Sequence, residues 1–333
     1  MHCFADTLRL TGVAHTEPQA QGNAEFIGNE AVQINFMESH LRGLPTPPPS
    51  NIEAFPSSPV ASAGSHAWPR YCAMPKFAAN LTMMFNEVPF PERFAAAAKA
   101  GFHGVEFLFP YELAPQEVGR LLKHHALQNV LFNFPPGNWG AGERGIASLP
   151  GRESDFRDSV ALAIEYALAL GTPCLHAMAG LLPTGVDRQK HSIIYIENLR
   201  YAARELAKHG RTLLIEPINT RDIPGYFLNT QAEAHAICEA VGEPNIKVQM
   251  DLYHAQIVEG DLAVKLRKYI QRVGHIQIAS VPGRHEPDEG EVNYPYLFCL
   301  LDDLKYDGWI GCEYRPRGRT EDGLGWYRDF ACS

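Results

Sequence analysis

The chain predicts a (β/α)8 barrel beginning near residue 74, and three observations predict it. From Phe77 onward, eight short apolar runs of strand-like composition alternate with amphipathic stretches of helical period. The alternation occupies about 255 residues, a span typical of such barrels. No GxGxxG turn follows the first run, which weighs against the doubly wound open sheet that the same alternation also allows.

The strand candidates follow in order. FAANLTMMF starts at Phe77, GVEFLFP at Gly104, NVLFNFPPG at Asn129 and TPCLHAMAG at Thr172. RTLLIEPIN starts at Arg211, NIKVQMDLYH at Asn245, GHIQIASVP at Gly274 and GWIGCEYRP at Gly308. Between them lie helical stretches such as PERFAAAAKAGF, SDFRDSVALAIEYALALG and ENLRYAARELAKHG. In the last, Leu199, Ala202, Ala203 and Leu206 recur at helical spacing. Gly101, Gly171, Gly210 and Gly242 stand where helices are expected to close. Residues 1–73 differ: PTPPPSN and FPSSPVASAGS carry little periodicity and predict a poorly ordered extension. The barrel domain is therefore expected over 74–333, and the extension is either an appendage or a stretch preceding a start at Met74.

Composition narrows the function classes. The chain has 333 residues, is 45% hydrophobic and carries a net charge of -9. That balance gives no basic footprint for nucleic acid. No apolar run is long enough to span a membrane, and the N-terminus lacks the pattern of a secretory signal. Cys3, Cys72, Cys174, Cys238, Cys299, Cys312 and Cys332 form no CxxC pair. The expectation is reduced thiols in a cytoplasmic protein.

Four polar residues recur near the ends of the last four apolar strands: Glu216, Asp251, Gln277 and Glu313. In a barrel, strand C-termini build the active site, and consecutive strands bring these residues to one side of the mouth. Singly, each has a structural explanation: Glu313 can pair with Arg315 or Arg317, and Asp251 can cap the next segment. Together they argue for more, because buried carboxylates are costly unless paired or bound to a cation. Three carboxylates and an amide oxygen suit a hard divalent ion, Mg²⁺ or Mn²⁺, with Co²⁺ as a further candidate. Such an ion would hold two adjacent substrate oxygens and polarise a carbonyl, while a glutamate takes up the neighbouring carbon-bound proton.

These residues also carry a likeness. From Met74 to about Phe330 the chain resembles the hydroxypyruvate isomerase family of the xylose-isomerase-like barrel superfamily. The matching runs include GFHGVEFLFPY, FNFPPGNWGAGERGIASLPGRESDFRD, LIEPINTRDIPGYFLNT, DLYHAQIVEGDL, GHIQIASVPGRHEPDEGEVNYPYLF and GCEYRPRG. The resemblance implies Glu216 and Glu313 as the proton donor/acceptor pair, and Glu216, Asp251, Gln277 and Glu313 as metal ligands. Ketose 3-epimerases of the superfamily have a histidine where this chain has Gln277. His254 matches a superfamily pattern near the substrate, its alternative being a packed rim residue. Arg284 is the candidate to hold the substrate carboxylate, its alternative being a loop arginine paired with Glu286. Glu106 and His176 are further candidates around the site. The GNWGAGERG loop reads as a lid or as ordinary turns, with Arg144 a secondary carboxylate contact.

The implied activity is the interconversion of hydroxypyruvate and 2-hydroxy-3-oxopropanoate (tartronate semialdehyde) through an enediolate. A 2-oxo-tetronate isomerase shares the same motifs and is the alternative. A metal-dependent endonuclease and a non-catalytic barrel rank below both. The expected partners are a small hydroxy-oxo acid and, from the resemblance, a second copy of the chain.

Overall fold

The computed structural model describes residues 75–331, so the expected extension over residues 1–73 lies outside the described residues. Eight parallel strands close into a barrel in sequence order. They are β1 (Lys76–Asn80), β2 (Gly104–Phe107), β3 (Gln128–Asn133), β4 (Cys174–His176), β5 (Thr212–Ile215), β6 (Ile246–Asp251), β7 (Val273–Ile278) and β8 (Trp309–Cys312). The outer helices are α1 (Phe90–Lys99), α2 (Pro115–His124), α3 (Glu153–Leu170), α4 (Arg188–Ala207) and α5 (Gln231–Val241). They continue with α6 (Leu252–Val258), α7 (Leu262–Tyr269), α8 (Tyr294–Asp303) and α9 (Gly325–Ala331).

All eight predicted strands form, and several stop earlier than their apolar runs. In FAANLTMMF the chain turns at Asn80, whose carbonyl accepts the Met83 and Met84 amides while its side-chain oxygen accepts that of Thr82. TPCLHAMAG leaves the barrel after His176, and its remainder is still buried because it joins other loops. Ala179 bridges Gly145, and Leu181 bridges Tyr226, so backbone pairing ties the loops after β3, β4 and β5 together. The Tyr226 hydroxyl adds a bond by accepting the Ala179 amide.

The helix periodicity is realised in α4, where Leu199, Ala202, Ala203 and Leu206 are fully buried. Gly171 and Gly242 cap α3 and α5 with φ of 73° and 75°, a left-handed turn that costs glycine little. The main apolar core lies between strands and helices. A second, smaller cluster of Ala78, Val130, Leu131 and Leu214 forms with Cys174 and Trp309.

Strand side chains alternate between faces, so two residues along each strand returns to the same side. On β1 this leads from Ala78 to Asn80, on β4 from Cys174 to His176, and from Leu214 on β5 to Glu216 just beyond it. The apolar cluster thus gives way to polar groups toward the strand C-termini. Cys174, Cys238 and Cys312 are free thiols, as expected, whereas Cys299 is disulfide-bonded, so the reading of every cysteine as reduced does not hold. No helix among the described residues is long and apolar enough to cross a membrane.

A candidate active site at the C-terminal mouth of the barrel

Four consecutive strands deliver the predicted residues. Glu216 directly follows β5, Asp251 ends β6, Gln277 lies on β7 opposite Asp251, and Glu313 directly follows β8. The Glu313 amide donates to the Ile278 carbonyl, which continues the β7–β8 pairing past the strand end. All four side chains are buried. Glu216, Asp251, His254 and Glu313 each offer a ligand atom, and these atoms all lie within 4.8 Å of one another.

The cluster is short of partners. Glu216 Oε1 and Asp251 Oδ2 are buried and accept no hydrogen bond. Leaving such oxygens bare is costly, and a cation among them would satisfy both. The residues present therefore fit a divalent metal ion held by Glu216, Asp251 and Glu313. Gln277 stands beside them: its Oε1 accepts from Gln249 Nε2 at 2.7 Å and its Nε2 donates to Glu106 Oε1 at 2.8 Å.

Arg284 enters the cluster from the loop after β7. Its guanidinium donates to Glu313 Oε2 at 2.7 Å and to Asp222 Oδ2 at 3.1 Å, and lies 3.7 Å from Asp251 Oδ2. It also sits over the Tyr253 ring at 4.8 Å. Pairing with Glu286 is not what the structure has, since Glu286 binds Arg317 instead. Glu313 likewise pairs with Arg284 and not with Arg315 or Arg317. Arg284 adopts a φ of 56°, uncommon for a residue with a side chain and typical of functional loops.

His254 belongs to the site through a relay that also sets its tautomer. The Asp222 amide donates to Asn219 Oδ1, which turns the Asn219 Nδ2 group toward His254 Nδ1 at 2.6 Å. Nδ1 must then accept, so the neutral ring carries its hydrogen on Nε2. That atom lies 3.5 Å from Asp251 Oδ2 and 4.0 Å from Glu216 Oε1. The same Nε2 lies 3.5 Å from Arg284 Nη2.

Burial dominates the electrostatics. It raises the Glu216 carboxyl well above the usual carboxylate range, with Glu313 and Asp251 adding repulsion. It pushes Glu313 up to about 8 and Asp251 up to about 6, with Arg284 opposing both. Burial, and then Arg284 and Arg221, hold His254 neutral. His176 is also held neutral, its pKa pushed down to about 3 by burial. It stands beside the site, with Nδ1 3.6 Å from Glu216 Oε2 and 3.3 Å from Asn133 Oδ1. Arg144 does something else: it lies 4.0 Å over the Trp139 ring and donates to the Trp139 and Glu143 carbonyls.

The sequence reading did not single out Asn80, Asn219, Asp222, Gln249 and His275. For Gln249 and His275 a signal existed, because each lies two residues before a predicted ligand on the same strand.

Against known proteins, residues 94–330 match the family model described as the xylose isomerase-like TIM barrel. The chain belongs to that family. Within it, the chain is 59% identical over 257 residues to the 2-oxo-tetronate isomerase of Cupriavidus necator, covering 77% of this chain and 99% of that protein. It is 47% identical over 253 residues to the hydroxypyruvate isomerase of Escherichia coli, covering 76% and 98%. A solved barrel from Brucella melitensis, described as an AP endonuclease of family 2, is 57% identical with a TM-score of 0.76, covering 77% and 99%. The resemblance drawn from the sequence holds, and with it the expectation of an isomerase-type barrel.

Proposed function

We propose that this chain is a metal-dependent isomerase of a short hydroxy-oxo acid that moves a carbonyl between adjacent carbons. The observation that carries the reading is the convergence of Glu216, Asp251 and Glu313 with two bare buried oxygens at a barrel mouth. The greater identity to the 2-oxo-tetronate isomerase supports the four-carbon acid as substrate, ahead of hydroxypyruvate. The metal would be Mg²⁺ or Mn²⁺, since the ligand atoms are oxygens.

A bound divalent ion would polarise the substrate carbonyl and acidify the adjacent C–H. Glu216 and Glu313 supply the proton chemistry. One removes the proton from the carbon next to the carbonyl, and a proton is returned to the former carbonyl carbon. A second proton moves between the two substrate oxygens, and His254 Nε2–H lies beside the carboxylates to hydrogen-bond one of them. Arg284 is the cation available to the substrate carboxylate, through the paired N–H geometry of a guanidinium. The net reaction adds and removes nothing, so no redox cofactor is required.

The test is direct. Metal-stripped protein is mixed with 2-oxo-tetronate or hydroxypyruvate, Mn²⁺ or Mg²⁺ is added, and the products are followed by NMR in D₂O. Metal-dependent isomerisation with deuterium at the new C–H is expected, and faster for the four-carbon acid. Inertness toward both acids, with cleavage of abasic DNA instead, would overturn the isomerase reading.

A further inference from the structure

Beneath the ligand residues lies a second polar layer that the proposed reaction does not use. Its centre is Glu106 on β2, 1% exposed. Three donors converge on this carboxylate. Asn80 Nδ2 reaches Oε1 at 3.0 Å, Gln277 Nε2 reaches Oε1 at 2.8 Å, and His275 Nε2 lies 2.7 Å from Oε2. The facing strand makes room for it: a Cβ on Gly311 of β8 would overlap both carboxylate oxygens.

From this carboxylate, hydrogen bonds run to Glu313 through Asn80 and to Gln249 through Gln277. Asn80 Nδ2 also reaches Glu313 Oε1 at 3.3 Å, and the Asn80 amide cannot flip because its Oδ1 accepts the Thr82 N–H. On the other side, Gln277 Oε1 accepts from Gln249 Nε2.

We propose that Glu106 is a positioning residue that sets which end of the Gln277 amide faces the metal ligands. Glu106 Oε1 accepts from Asn80 Nδ2 and from Gln277, so Gln277 meets it with the Nε2 end. The Oε1 end is thereby turned toward β6, where Gln249 meets it and whose last residue is Asp251. That oxygen has two lone pairs, of which Gln249 uses one. A leucine at 106 accepts from neither Asn80 nor Gln277, whereas a glutamine could keep its one oxygen against both. Without that acceptor the Gln277 amide is free to turn over and offer hydrogens where oxygen is needed. This inference rests on the metal reading of the site and is independent of which acid is the substrate.

The experiment measures Mn²⁺ affinity by titration with detection of free Mn²⁺ by EPR, alongside thermal melting, on the full chain. Partners of metal ligands change affinity by about 10- to 100-fold when lost. Glu106→Leu is expected to raise the Mn²⁺ Kd by that factor while still melting cooperatively. Gly311→Ala keeps the charge at 106 and displaces the carboxylate, so it is expected to weaken Mn²⁺ similarly. Glu106→Leu with Gln277→Glu returns an acceptor to position 277 and is expected to recover affinity. Wild-type affinity in folded Glu106→Leu or folded Gly311→Ala would overturn the proposal. Should Glu106→Leu fail to fold, Gly311→Ala decides it. Absence of Mn²⁺ binding by the unaltered protein would overturn the metal reading and this inference with it.

Discussion

Arg284 and Glu313 meet at 2.7 Å inside the barrel mouth, where a guanidinium occupies the edge of a carboxylate cluster. Asp222, Asp251 and Glu216 contribute to the same positive-on-negative arrangement. One arginine therefore offsets part of the repulsion among groups that would otherwise face one another in a dry site.

Arg284→Met removes that counter-charge and leaves buried carboxylates unbalanced, a change that is costly for a buried pair. Metal-stripped protein is expected to lose more thermal stability than Mn²⁺-loaded protein, because the ion offsets the same repulsion. The kcat/KM for the acid should fall about 10-fold or more, mainly through KM. Equal destabilisation with and without Mn²⁺ would count against the counter-charge role.

Glu216→Gln and Glu313→Gln each leave shape and burial nearly intact while removing a base. Turnover should drop by about 10²- to 10⁴-fold in each. Exchange of substrate C–H with D₂O, read by NMR, should fall in step. Near-normal turnover in either variant would exclude that glutamate from proton transfer.

Proton competition should shape metal binding. Asp251 and Glu313 have folded-state pKa values raised to about 6 and about 8. In the unfolded chain both lie at about 4. Without metal, the folded state thus holds more protons than the unfolded state across this window. Their contribution to stability is full below about pH 4 and is lost as pH rises toward about 8. Metal binding displaces those protons, so Mn²⁺ affinity is expected to increase from pH 6 to pH 8 with measurable proton release. Calorimetry in buffers of different ionisation enthalpy reads that release, and a pH-independent Kd would refute it.

Asn219→Asp changes one atom of the His254 relay. A carboxylate accepts from Nδ1 where Asn219 donates, which moves the ring hydrogen away from Nε2. Turnover is expected to fall by at least ~10-fold with little change in Mn²⁺ affinity. Asn219→Ser, which retains a donor, should retain more activity. Loss of metal affinity equal to the loss of turnover would instead place His254 among the ligands.

Much of this was legible in the chain because it is local. A strand end repeated four times with a polar residue, and helices with apolar spacing such as Leu199 to Leu206, are patterns a short window contains. What the window lacks is the meeting of distant strands. Glu106 needs Gly311 to be small, and Asn80 bonds Glu313 across 233 residues. Barrel closure creates both relationships, and neither leaves a mark on neighbouring sequence. Arg284 was visible as a candidate, but its partner was not, because a left-handed turn swings it away from adjacent Glu286 toward Glu313. Glu216 Oε1 and Asp251 Oδ2 are bare for a similar reason: their environment is set by three other strands.

The bridges from Gly145 to Ala179 and from Leu181 to Tyr226 make one side of the mouth a single woven rim. Lengthening any one of the three loops would shear its neighbours out of register, so they are expected to drift in length together or not at all. Room for a bulkier acid is then more easily gained on the opposite side, where the loops after β1, β2 and β8 share no such bridge among the described residues. A laboratory lineage selected for larger substrates should accumulate its insertions there, and confine itself to side-chain exchanges along the woven half.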